Sequence, residues 1–298
     1  MKTFLAMTKR NIKVFFKDKG MFFASLITPL LLLILYATFL AKVYKDSFNS
    51  ALPDFISVSE KLVNGTVAGE LFSSILAVCC VTVAFCSNTL MAADKVSGAR
   101  KDLFITPVKK SVIALSYYVG TLLTTLIVIA VAMGACFIYI AVNGWFLTFG
   151  DVMLLILDVF LVSLFGTAFS CIINSFLKTQ GQISAVGTVI SAGYGFICGA
   201  YMPISNFGSG LQKTLSLLPG TYGTSLIRNH ALRGVFAEMT KENFPPEVIE
   251  GIKDSVDCNI KFFGHAVSIS AMYAIICASI AVLIGVYVLI NVLDKKAD

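Results

Sequence analysis

The stretch Asp94-Lys-Val-Ser-Gly-Ala-Arg-Lys-Asp-Leu-Phe-Ile-Thr-Pro-Val108-Lys-Lys110 joins two apolar runs, each long enough to cross a bilayer. Lys or Arg at the centre of hydrocarbon costs about 2.5–3.5 kcal/mol, so a segment carrying Lys95, Arg100, Lys101, Lys109 and Lys110 belongs in water. Short basic loops are retained on the cytoplasmic side. This loop, 94–110, is therefore expected in the cytoplasm, and its placement orients every other crossing.

Outward from it, apolar runs at 20–41, 67–93, 111–142, 151–173, 182–202 and 263–292 each reach the roughly 20 residues needed to span about 30 Å as a helix. Hydrophobic residues make up 57% of the 298 and charged residues 13%, against about 45–50% and 25% in soluble domains. The runs are too long for strands and alternate too weakly for a transmembrane barrel. The expected fold is all-α, one membrane domain over 1–298 with six transmembrane helices and no internal repeat.

Lys9, Arg10, Lys13, Lys17 and Lys19 precede the first run, whereas only Lys42 and Lys45 follow it closely. The amino terminus is thus expected inside, and six crossings return the carboxyl terminus, with Lys295 and Lys296, to the same side. The net charge of +6 reads mainly as a topology signal, because no basic segment interleaved with aromatics points to nucleic acid.

Residues 1–19 place Phe4, Leu5, Ile12 and Phe15 on one arc of a helix and Lys2, Lys9, Arg10, Lys13 and Lys17 on another. That pattern fits either a helix lying on the inner membrane surface or a helical topogenic flank. The region 203–262 is the one sizeable external segment, and within it Pro245-Pro246 followed by Val248, Ile252 and Val256 predicts a short helix. Seven cysteines fall in the apolar runs and read as small packers. Cys258 falls outside them, as a free thiol or one half of a cross-subunit disulfide.

Enzyme motifs are absent: there is no Gly-x-x-x-x-Gly-Lys-Ser/Thr phosphate loop, no His-Glu-x-x-His and no Gly-x-Ser-x-Gly. His230 and His265 have no cysteine or carboxylate at metal-ligand spacing and read as solvated or packing residues, so neither a catalytic nor a metal site is expected. Asp158, seven residues into its run, stands as a lone intramembrane acid. A proton-relay or cation-binding role and a packed, paired or protonated side chain are both open for it.

Two segments carry a resemblance. The loop's Asp94-Lys95, Gly98-Ala99, Asp102-Leu103 and Thr106-Pro107-Val108 resemble the turn between the second and third spans of the type-2 permeases of ATP-binding-cassette (ABC) exporters. Gly199-Ala-Tyr-Met-Pro-Ile-Ser205, followed by Leu217-Leu-Pro-Gly-Thr-Tyr-Gly-Thr-Ser-Leu-Ile-Arg228, resembles the end of that family's fifth span and its re-entrant external hairpin. The physics agrees: Gly98 can end one helix and Pro107 stop a short second one, and a Gly/Pro-broken helix at a membrane edge must bury or hydrate its freed backbone groups. Two departures stand out, Arg100-Lys101 where the family often has an apolar then an acidic residue, and Phe207-Gly208 where it often has Leu-Pro.

The resemblance implies a type V exporter architecture with an interfacial amino-terminal helix, a cytoplasmic coupling helix and the external hairpin. It implies coupling to an ATPase through Gly98, Arg100, Lys101, Asp102, Thr106 and Pro107, and an outer gate at Gly199, Pro203, Pro219, Tyr222 and Arg228. Phe85, Asn88, Tyr194 and Phe196 become candidates for a substrate cavity, on helix identity alone, with simple packing as the alternative. The implied complex holds two separate ATPase subunits, which carry the ATP and Mg that this chain lacks, and a second permease, identical or related, in the cell membrane. Its cargo would be a lipophilic or amphipathic small molecule, peptide or lipid. An ion-coupled carrier using Asp158 and a membrane-embedded peptide sensor or immunity protein are the competing expectations.

Overall fold

The computed structural model describes residues 2–42, 45 and 58–293. Most of the expected external stretch after the first run, and Lys295 and Lys296, lie outside the described residues. Eleven helices appear among those described. They are α1 (Lys2–Lys17), α2 (Lys19–Leu35, continuing as a π-helical turn, Tyr36–Leu40), α3 (Glu60–Ser97), α4 (Ala99–Ile105), α5 (Lys110–Asn143), α6 (Phe149–Phe176), α7 (Gln180–Ile197), α8 (Ser209–Leu215), α9 (Pro219–Lys241), α10 (Pro246–Ser255) and α11 (Ile269–Leu293). The only sheet among the described residues is a two-stranded hairpin, β1 (Lys261–Phe262) with β2 (His265–Ala266).

Among the described residues four helices, α3, α5, α6 and α11, are long and apolar enough to cross a membrane, and a fifth crossing is counted if α1 and α2, which meet at 80°, form one span. The 18-residue α7 is not among them. Its Gln, Ser, Thr and four glycines dilute the apolar residues. Two expected boundaries shift for local reasons. Helix α7 stops at Ile197 because Gly199 turns left-handed at φ 73°, and α11 starts at Ile269 because Phe263 (φ 48°) and Gly264 (φ 91°) make the tight β1–β2 turn.

Helix α3 is the axis of the fold. Of its most apolar window 89% is buried, against 22% for α11 at the periphery. Small residues let neighbours approach it: a Cβ at Gly166 of α6 would collide with the Cys80 carbonyl, and one at Gly69 with Leu232 of α9. At the start of α6, Thr148 and Asp151 form a reciprocal capping box.

Helix α9 lies within 203–262, the region expected to be external. It packs between α3, α6 and α11, burying Tyr222, Leu226, Ile227 and Leu232 together with Gly220, Thr221, Gly223, Thr224 and Ser225. Small polar residues on the packed face hide it from hydropathy. Helix α10 forms where the proline start and the i, i+4 spacing predict it.

Candidate functional site

The elbow between α3 and α5 is built by one glycine and one proline. Gly98 sits at φ 86° and ends α3; α4 then runs seven residues until Thr106 becomes extended ahead of Pro107. Lys101, Asp102, Thr106 and Pro107 are exposed, and Ile105 projects with 84% of its surface free. Arg100 differs from its expected place on the docking surface. It is buried, hydrogen-bonded to Asn291 of α11 and stacked 5.1 Å from the Phe104 ring, so it braces the elbow from within. Asp94, one turn before Gly98, accepts from Arg10 of α1, with Nη2 at 3.1 Å, and from the Tyr117 hydroxyl at 2.6 Å. The elbow is thereby tied to α1, α5 and α11.

At the opposite end, Arg228 of α9 is 1% exposed and acts as a hub. Its guanidinium donates to Ser73 Oγ (3.3 Å) and Ser74 Oγ (3.0 Å) on α3, to the Gly199 carbonyl (3.1 Å) and to the Val256 carbonyl (2.7 Å), and pairs with Asp257 at 3.8 Å. Asp257 in turn accepts from the backbone N–H groups of Ile204 and Ser205, just after Pro203. Burial pushes the Asp257 carboxyl up, opposed by Arg228 and those N–H donors. The nearby Asp254 carboxyl is half-buried and held below its ordinary value by Lys261 and Asn259. Pro219 opens α9 at its first position, and the Tyr222 hydroxyl donates to the Ser216 carbonyl, closing the α8–α9 turn. The five expected gate residues thus belong to one clamped unit.

Asp158 on α6 is fully buried and paired. His230 Nδ1 of α9 lies 2.6 Å from one carboxylate oxygen, and the Tyr273 hydroxyl of α11 donates to the other. His230 is therefore no solvated histidine, and with both oxygens of Asp158 engaged the site is a three-helix tie rather than an open cation seat. His265 stays exposed on β2. Glu70 of α3 is a second buried acid, near the Arg228 hub. Cys258 is buried too, and burial pushes its thiol up to about 12, which lowers its reactivity.

The four cavity candidates do not come together. Phe85 packs edge-on against Phe169, and Asn88 bonds Ser170 (3.2 Å) and Thr121 (3.3 Å) inside the bundle. Tyr194 is buried against Gly220, whereas Phe196 is half exposed beside Tyr201. The large groove lies elsewhere, between α2 and α7, with Thr89 and Ala93 of α3 also lining it and a volume of about 770 Å³. Leu31 and Ile27 form an apolar wall, and Ser184, Thr188 and Ser191 form a hydroxyl ladder on α7 opposite. Its size lies within the roughly 300–1,000 Å³ of small-molecule sites. Of the two helices expected to supply cavity residues, α7 lines this groove, though through Ser184, Thr188 and Ser191 at i, i+4, i+7 rather than through Tyr194 and Phe196.

Residues 2–231 match the model of the family described as ABC-2 type transporter. The chain belongs to that family. An ABC-2 chain is the transmembrane permease subunit of an ABC transporter, distinct from the ATPase, and such permeases work with separate ATPase partners. The match covers α1 through the first half of α9, and so includes the elbow and Arg228 but not its partners Val256 and Asp257. No curated protein matches the chain.

Proposed function

We propose that this ABC-2 permease is half of the membrane pathway of an exporter, paired with a second permease copy or relative and driven by two ATPase subunits that bind ATP and Mg. The observation that carries the reading is the elbow: a short exposed helix, tipped by Ile105, held between two long apolar helices and braced to α1, α5 and α11. Gly98, Lys101, Asp102, Thr106, Pro107 and Ile105 form the ATPase contact, and Arg100 transmits displacement inward to α11. Six crossings, counting α2 and the polar α7, put both termini in the cytoplasm of a cell-membrane protein.

The exposed face of α7 supports the pairing with a second subunit. Gln182, Ser184, Ala185, Thr188 and Ala192 are small or polar and exposed, which suits a protein neighbour or a hydrated passage better than lipid tails. Two α2–α7 grooves facing one another would enclose a path with an apolar wall and a hydroxyl wall, fitting an amphipathic molecule, peptide or lipid. Since Arg228 clamps the hairpin to α3, outward opening separates whole subunits by rigid-body motion.

The test is Ile105→Glu in the permease co-expressed with its ATPase. Ile105 is too exposed to affect folding, so the variant should be made at normal levels yet lose ATPase binding on co-purification. Normal assembly and ATP turnover by Ile105→Glu would reject the docking role.

A further inference from the structure

Helix α1 has three sectors. At about 100° per residue, Phe4, Thr8, Asn11 and Phe15 share an arc of about 60°. Thr8, Asn11 and Phe15 are buried there, and Asn11 Nδ2 donates to the Ser116 carbonyl of α5 at 3.2 Å. Beside it, Leu5, Ile12 and Phe16 form an apolar flank, with Leu5 57% exposed. Next come Lys2, Lys9, Lys13 and Lys17, all exposed, in a column about 22 Å long at 1.5 Å per residue. None of these four lysines has an acidic partner among the described residues. The remaining cation of α1, Arg10, lies past the lysines and is the one turned inward, onto Asp94.

We propose that this lysine column binds the anionic phospholipid headgroups of the leaflet on which α1 lies, and that the contact steadies the elbow through Arg10 and Asp94. The apolar flank enters the acyl boundary while the lysine stems reach back to the phosphates, the arrangement in which an interfacial helix holds best. Charge complementarity selects the occupant. Four unpaired cations in a row, next to a hydrophobic segment, meet the charge density of an anionic bilayer, where each basic residue near the surface adds to the attraction. Because Arg10 and the lysines share one rigid helix, lipid charge on one side restricts Asp94 on the other. The elbow's freedom thus depends on bilayer composition, independently of which ATPase it meets.

Hydrogen exchange of the full-length chain tests this in phosphatidylcholine nanodiscs with and without phosphatidylglycerol. Anionic lipid should slow exchange of α1 on the order of tenfold or more and should also slow α4. Replacing Lys2, Lys9, Lys13 and Lys17 together by Gln should abolish both effects, and replacing them by Arg should keep both. Asp94→Ala should keep the α1 effect and lose that on α4. Equal exchange in the two bilayers, or an undiminished difference in the Gln variant, overturns the proposal. So does slowing by inorganic phosphate in phosphatidylcholine alone, which would mark a free-anion site rather than a lipid one. A wild-type α4 indifferent to lipid overturns the link to the elbow.

Discussion

Replacing Arg228 by Met keeps much of the side chain's volume and removes everything else it does. The change strands the buried carbonyls of Val256 and Gly199, leaves Ser73 and Ser74 without their donor and strips the nearby cation from the buried carboxylate of Asp257. An orphaned buried acceptor costs about 1–3 kcal/mol, and removing one partner of a buried ion pair about 3–5 kcal/mol in total, so the non-additive sum is set at about 4 kcal/mol. At roughly 2–4 °C per kcal/mol for a chain of this size, the unfolding midpoint should fall by about 8–16 °C. The buried cysteines supply the readout, since Cys79, Cys80, Cys136, Cys171, Cys198 and Cys258 become reactive to a fluorogenic maleimide only on unfolding. Asp257→Asn keeps an acceptor for the Ile204 and Ser205 amides and should cost less. The double variant should be more stable than the two single losses predict, by about 1–3 kcal/mol of coupling. A midpoint for Arg228→Met within measurement error of the wild type would refute the hub and, with it, the argument that the hairpin moves only with its subunit.

Other outcomes follow from the same geometry. Asp158→Asn and His230→Gln should each lower the midpoint, and their double-mutant cycle should show about 0.5–3 kcal/mol of coupling, as expected for residues in direct contact; additive effects would separate the pair. Gly234→Ala should destabilise by about 1–3 kcal/mol or more, because its Cβ would meet the backbone carbonyl of Phe146, which cannot rotate away; an unchanged midpoint would show that α9 can shift. Asp94→Arg should weaken assembly with the ATPase, and adding Arg10→Asp should restore it, with a stability cost near 1 kcal/mol because Arg10 is 40% exposed. Failure of the swap to rescue assembly would place Asp94 outside the coupling route.

The long apolar helices and the elbow were legible because their signals are local. Gly98 and Pro107 punctuate the chain, and the five cations between the runs need water whatever the tertiary structure. The partners of Asp158 and Arg228 were not legible, because ties between residues 28 to 155 positions apart leave no trace in spacing. Helix α9 escaped for a related reason: Gly220, Thr221, Gly223, Thr224 and Ser225 are interspersed with the apolar residues of its packed face, so hydropathy does not mark it as a buried helix. Arg100 looked like a surface cation by composition, and only the return of α11 with Asn291 gives it an inward partner. The α2–α7 groove depends on which side of α7 is left uncovered, a property of packing rather than of sequence.

The account rests most heavily on the claim that an external ATPase powers this permease through α4. Proteoliposomes holding the chain alone, or the chain with its ATPase, can be compared for uphill movement of a fluorescent amphipathic dye, with ATP or with an imposed ion gradient. The account predicts accumulation only with the ATPase and ATP together, and none in the Ile105→Glu complex. Concentration of the dye by the chain alone, driven by the ion gradient, would contradict it.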